Sequence, residues 1–124
     1  MKLAVNINIK KISPGFIRSI IDKWKNKGWL PEDTKPNKKD IFEIDILKIY
    51  KIYQQKILDL NVCDFGDLIL YCVSIFKKHQ DILDVYAKNF KYILVDEYQD
   101  TNFIQSEWLN LLAKKSQNIC CVGD

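Results

Sequence analysis

Three carboxylates within five residues mark the part of this chain best equipped for chemistry. Asp96 and Glu97 stand side by side at the end of the apolar run Tyr92-Ile93-Leu94-Val95, and Asp100 follows in Asp96-Glu97-Tyr98-Gln99-Asp100-Thr101-Asn102. A short continuous apolar run of this kind reads as a buried parallel strand. In an open parallel sheet, ligands bind beyond the carboxyl ends of the strands. A carboxylate there can hold Mg²⁺ directly or through water, and magnesium usually arrives with substrate phosphates. The neighbouring carboxylate can orient or deprotonate a water that attacks a γ-phosphoryl group. Four apolar residues followed by Asp-Glu is the Walker B arrangement. Alone it is a weak signal, because strands also end in acidic residues simply where loops meet water.

The complementary half of such a site is not found in these residues. A phosphate cradle needs G-x-x-x-x-G-K-[ST], so that backbone amides and a lysine surround the phosphates. The glycines are Gly15, Gly28, Gly66 and Gly123, and none is followed by Lys. Arg18 is the single arginine beside 18 lysines, so bidentate guanidinium contacts to a transferring phosphoryl group have only one source. The carboxylates can therefore act on a nucleotide only where other segments complete the site.

The elements that position this stretch are legible from periodicity and caps. Residues 1–12 alternate in part and read as a strand or an irregular arm. Ser13-Pro14 starts a helix, with Ser as N-cap and Pro at the first helical position. Ile17, Ile20, Ile21 and Trp24 then share one face, and Gly28 is placed to end it. Residues 28–40, with two prolines and many charges, read as a linker. A long amphipathic helix is predicted from Ile41 to about Leu60, with Phe42, Ile46, Ile49, Tyr50, Tyr53, Ile57 and Leu60 as its stripe. Asp64 and Asp67 have capping-box spacing ahead of a helix through about Lys78, and a shorter helix follows over 80–89. After the strand-like run 91–97, Thr101 or Asn102 caps a helix carrying Ile104, Trp108, Leu111 and Leu112. The run 118–124 is strand-like again. Strand, helix, strand within 35 residues predicts a βαβ unit.

Bulk properties set the limits. A chain of 124 residues, 48% hydrophobic and 28% charged, is one domain at most or a piece of a larger one. Its net charge of +3 permits nucleic-acid binding without arguing for it. The excess of lysine and isoleucine matches codon bias in an A/T-rich genome. Cys63, Cys72, Cys120 and Cys121 form no C-x-x-C pair and His79 is the lone histidine, which argues against zinc. Cys120 and Cys121, in an apolar run, read as small hydrophobes, and the chain as cytoplasmic. No run approaches a membrane span, so no membrane partner is expected. Trp24 and Trp108 are assigned to the core by their spacing. Trp29, in the linker, is the better candidate for exposure and base stacking. Lysines 23, 25, 27, 35, 38 and 39 read as a solvated face, with phosphate contact as the sharper alternative.

The seven residues Asp96 to Asn102 resemble motif II, D-E-[FY]-Q-D-T-N, of the UvrD/Rep/PcrA family of superfamily 1 DNA helicases, at every position. Gln105 and Trp108-Leu109 fall where that family has a Gln and an apolar pair. Cys121-Val122-Gly123-Asp124 resembles the opening of motif III. Residues 63–70 are similar to the family's D-F-x-D-L-L element, and residues 14–33 to the start of subdomain 1B. The resemblance implies an α/β, helix-rich fold. It would be a partial P-loop NTPase (RecA-like) motor domain, with a βαβ unit at the C-terminal end and a helical 1B-like part. Residues 1–61 would be the 1B-like part and 62–124 the 1A-like segment with Walker B.

By the same resemblance Asp96 is the Mg²⁺ ligand and Glu97 the residue that activates water for ATP hydrolysis. Gln99 and Asp100 tie the nucleotide site to its neighbours, while Thr101 and Asn102 need only cap a helix. The implied cofactors are ATP and Mg²⁺. The implied partners are single-stranded and duplex DNA, together with the remaining helicase segments in cis or in trans. The implied whole is an ATP-dependent DNA helicase of the kind used in DNA repair, coupling hydrolysis to translocation and unwinding. Without a P-loop, this chain alone is expected to be an inactive part of such an enzyme. The alternative is a helical module that binds DNA or a protein without catalysis. Alone, the two strands are expected to expose edges and an apolar face, giving poor solubility or dependence on a partner.

Overall fold

The structure, a computed structural model, describes residues 12–124. The alternating stretch 1–12 therefore lies, except for its last residue, outside the described residues. The chain divides into two compact units, Met1–Asp64 and Phe65–Asp124.

The first unit is built on two helices, α1 (Pro14–Asn26) and α2 (Ile41–Asp59). Ser13 caps α1 by accepting a hydrogen bond from the Phe16 amide at 3.2 Å. Gly28, at φ 80°, turns the chain out of the helix in the left-handed region where glycine has no Cβ penalty. Ile21 and Trp24 of α1 are buried against Ile46 and Tyr50 of α2, with Ile17, Ile20, Trp29, Leu47 and Tyr53 packed around them. The Trp24 and Tyr50 rings lie 5.9 Å apart, and the Tyr50 hydroxyl donates to the Trp29 carbonyl at 2.9 Å. Trp29 is thus half-buried against this core, with Lys27 over its ring.

The predicted stripe of α2 holds in its middle and not at its ends. Phe42 is 51% exposed and Leu60 63%. The physical reason is length: at 1.5 Å per residue, a helix of 13 residues cannot cover the whole stripe of one of 19. The stretch between the helices is no free linker. Pro31 and Thr34 are buried, Thr34 donates to the Leu30 carbonyl at 2.8 Å, and Asp40 caps α2 through the Phe42 amide.

The second unit packs α3 (Phe65–Lys78), α4 (Gln80–Asn89) and α5 (Phe103–Ala113) around Phe76, Leu83, Ala87 and Leu112. Trp108, Leu111 and Ile93 border that core. Lys77 pairs with Glu107, and Lys115 with Asp84 at 2.8 Å. The strands β1 (Ile93–Val95) and β2 (Ile119–Cys121) are parallel, in register Ile93–Ile119, Leu94–Cys120 and Val95–Cys121. They flank α5, so the predicted strand–helix–strand order is present.

The strands are only partly covered. Ile93 and Val95 are half-buried, Leu94 is 75% exposed, and all of β2 is exposed. Cys120 and Cys121, read as small hydrophobes from their apolar run, are consequently exposed, and Cys63 and Cys72 are exposed as well. A strand of three residues with one neighbour has one pleat face to bury, and α5 and its partners cover the face that carries Ile93. Among the described residues no helix is long and apolar enough to cross a membrane.

Candidate functional site

The carboxylates sit where the parallel pair ends. Asp96 and Glu97 immediately follow β1, so they lie at its carboxyl end, where ligands bind in open parallel sheets. The chain must turn sharply there to enter α5. Glu97 makes the turn in the left-handed region, at φ 52° and ψ 43°. A non-glycine residue there costs of order 1 kcal/mol or more and persists only where surrounding contacts hold it.

Those contacts are on both sides of the turn. Ahead of it, the Val122 amide donates to the Val95 carbonyl at 2.8 Å and the Tyr98 amide to the Val122 carbonyl at 3.0 Å. The segment after β2 thereby grips the chain on either side of Asp96-Glu97. Within the turn, residues Tyr98–Asp100 form a single 3₁₀ turn, and the Asp100 amide donates to the Glu97 carbonyl at 3.0 Å. Beyond it, Asn102 and Gln105 form a reciprocal capping box on α5. The Gln105 amide donates to Asn102 Oδ1 at 2.9 Å, and the Asn102 amide to Gln105 Oε1 at 3.1 Å. Each satisfies an amide the helix cannot satisfy internally. Asn102, and not Thr101, is the cap.

The side chains divide into three roles. Asp96 Oδ1 accepts the Glu97 amide at 2.8 Å, and its other oxygen makes no hydrogen bond among the described residues. Glu97 Oε2 accepts from the Gln99 carboxamide, Nε2 donating. At its other end, Gln99 Oε1 accepts the Asp124 amide at 3.3 Å. Asp100 serves the turn through its backbone, and its carboxylate is exposed. The structure thus joins Glu97, Gln99 and Asp124 in one hydrogen-bonded chain, with Asp96 beside it and Asp100 apart. The Gln99 bridge is the feature that sequence reasoning did not specify. Its partners are 2 and 25 residues away, and no periodicity signals that pairing.

Among the described residues no group of three or more His, Cys, Asp or Glu is gathered to hold a metal ion. Magnesium needs no such cluster, since it keeps several waters and takes one or two carboxylates plus phosphates. Asp96, exposed and with one oxygen open, is a donor of that kind.

A groove of about 550 Å³ lies at the other, amino end of the strands, between Lys88, Lys91, Tyr92, Lys115 and Asn118. Near it, side-chain hydrogen bonds from Lys115 and then Gln80 hold the Asp84 carboxyl below its ordinary 3.8. The groove is not adjacent to Asp96 or Glu97. Chemistry at the carboxyl end has the stronger physical claim, since parallel strands expose their ligand-binding loops there.

Comparison with known proteins bears on the whole chain. The family profile described as UvrD/REP helicase N-terminal domain matches residues 1–124. The protein is 44% identical over 125 residues to DNA helicase II of Rickettsia typhi, covering 100% of this chain and 19% of that protein. It is 37% identical over 119 residues to the ATP-dependent DNA helicase PcrA of Staphylococcus epidermidis, covering 96% of this chain and 16% of that one. The chain therefore spans about a fifth or less of the length of these relatives.

Proposed function

The chain belongs to the UvrD/REP helicase family, and on that premise we propose that it supplies one half of the ATP site of a UvrD/Rep-type, ATP-dependent DNA helicase. The observation that carries this reading is the placement of Asp96-Glu97. They sit at the carboxyl end of a parallel strand, on a strained turn braced by hydrogen bonds on both sides. Residues 1–61 then correspond to part of the helical 1B subdomain, and residues 62–124 to the 1A segment of a P-loop motor domain.

In this reading Asp96 is the magnesium-holding carboxylate, through the oxygen not taken by the Glu97 amide. Bound with ATP, Mg²⁺ supplies charge neutralisation on the phosphoryl oxygens. Glu97 is the general base. Its Oε2 is held by Gln99, which leaves Oε1 to accept the proton of the attacking water. Gln99 and Asp100 tie the nucleotide site to its neighbours from the turn. The phosphate cradle comes from residues outside these 124, since no G-x-x-x-x-G-K-[ST] occurs among them. Hydrolysis, single-strand translocation and duplex unwinding belong to the assembled enzyme, and the isolated chain does not turn over ATP.

The test is calorimetric titration of Mg·ATP into the purified chain, with circular dichroism to establish folding. No binding at micromolar concentrations is expected. Micromolar binding would mean that the chain builds its own phosphate cradle, and the half-site reading would be wrong.

A further inference from the structure

We propose that Gln99 is a positioning residue, whose carboxamide couples the direction of the Glu97 carboxylate to the backbone at Gly123-Asp124. The functional meaning of this coupling rests on the reading of Glu97 as the base. The coupling itself does not.

Four observations carry it. First, both ends of the carboxamide are engaged, Nε2 toward Glu97 Oε2 and Oε1 toward the Asp124 amide at 3.3 Å. This orientation is dictated by the partners. An ionised carboxylate can only accept and a backbone N–H can only donate, so the flipped amide would lose both bonds. Second, Gly123 leaves room for that amide. A Cβ there would stand 2.1 Å from Gln99 Oε1 and 3.3 Å from the Tyr98 nitrogen. Third, Val122 is bonded to both Val95 and Tyr98, so the backbone that Gln99 touches is pinned to the turn carrying Glu97. Fourth, Gln99 is exposed. Its bonds add nothing to a core, and their effect falls on the direction of a side chain that otherwise samples several rotamers.

A movement of Gly123-Asp124 is therefore passed to Glu97 through one carboxamide. A general base must lie within hydrogen-bond reach of its water, and a displacement of an ångström there is costly.

The experiment is a double-mutant cycle in the 124-residue chain, comparing Gln99→Ala, Gly123→Ala and the double variant. The probe is the ¹³C signal of the Glu97 side-chain carboxyl, and urea unfolding monitors the fold. Each single substitution is expected to shift the Glu97 signal while leaving the unfolding midpoint within error. Gly123→Ala is expected to add nothing once Gln99 is Ala. A Gly123→Ala shift that survives in the Gln99→Ala background would overturn the proposal, because the effect would then run through the backbone. An unmoved Glu97 signal in Gln99→Ala would overturn it equally, and that variant makes no demand on the backbone at Gly123.

In a chimeric helicase carrying this chain, Gln99→Ala is expected to lower kcat about tenfold to a hundredfold with KM for ATP unchanged. If the carboxyl signal responds as stated and kcat does not, the positioning contact stands and the reading of Glu97 as base falls.

Discussion

Lys25 is the most unusual side chain in the first unit, and its removal and the removal of its partner should have unequal costs. Its side chain is 0% exposed, and its ammonium meets Asp64 Oδ2 at 2.6 Å, while the Asp64 side chain keeps 28% exposure. The Tyr53 hydroxyl donates to the same oxygen at 2.8 Å, and the Tyr50 and Tyr53 rings lie 5.8 and 5.2 Å from the ammonium. At 2.6 Å and an effective dielectric near 20, the gross attraction is about 6 kcal/mol. Desolvation of the buried ammonium takes back several kcal/mol of that, so the intact pair is close to neutral in net effect.

Asp64→Ala leaves the desolvation cost in place and removes a carboxylate, at 2.6 Å, that offsets it. Breaking a fully buried pair costs about 3–5 kcal/mol. With Asp64 partly wet, water replaces some of what is lost, and we expect about 2–3 kcal/mol. Lys25→Met removes the charge and keeps the aliphatic stem among the rings. The Tyr53 hydroxyl still donates to Asp64, whose side chain is partly wet, and the expected cost is about 0–1 kcal/mol. Urea unfolding followed by circular dichroism and tryptophan fluorescence reads the difference, a gap of roughly 1 M between the two midpoints. If Lys25→Met proves as damaging as Asp64→Ala, burial of the charge is not the source of the asymmetry and the reasoning fails.

Three further outcomes follow from the second unit. Asn102→Ala removes the capping box of α5 and should lower stability by about 1 kcal/mol, seen as a lower urea midpoint; no change would mean the cap contributes nothing. Glu97→Gly relieves the left-handed strain and should raise stability by up to about 1 kcal/mol while deleting the proposed base; loss of stability would show that Glu97 is not strained. Asp84 is held below 3.8 by Lys115 and Gln80, so its contribution is present above that value and lost as pH falls through the lower folded value. The stability gap between wild type and Asp84→Asn should be flat near neutrality and narrow below pH 3.8, and should shrink with added salt.

Local rules carried much of the architecture. Ser13-Pro14, Gly28 and Asn102 announced helix boundaries because caps are short-range hydrogen bonds between neighbours in sequence. Trp24 and Ile21 announced a buried face by spacing alone. What escaped was set by distance along the chain. Lysine is the residue type least expected in a core, and Lys25 is buried by a partner 39 residues away. The bend at Glu97 follows from the need to join β1 to α5 and from the grip of Val122, neither visible in the motif itself. Phe42 and Leu60 kept the helical period yet stayed exposed, because period does not report how long the partner helix is. The pair Asp96-Glu97 was legible as chemistry from the first. Its support by Gln99 was not, because a bond from a backbone amide leaves no side-chain signature at the donating end.

The measurement that bears most directly on the central claim uses a chimera. This chain replaces the corresponding segment of the Staphylococcus epidermidis PcrA, to which it is 37% identical over 119 residues. ATP hydrolysis is then measured with Mg²⁺ and single-stranded DNA, beside Glu97→Gln in the chimera and beside the isolated chain. The chimera is expected to show DNA-stimulated turnover, lowered about 10²-fold or more in Glu97→Gln, and the isolated chain none. Turnover of the Glu97→Gln chimera at the parent rate would contradict the claim, as would hydrolysis by the isolated chain that Glu97→Gln abolishes.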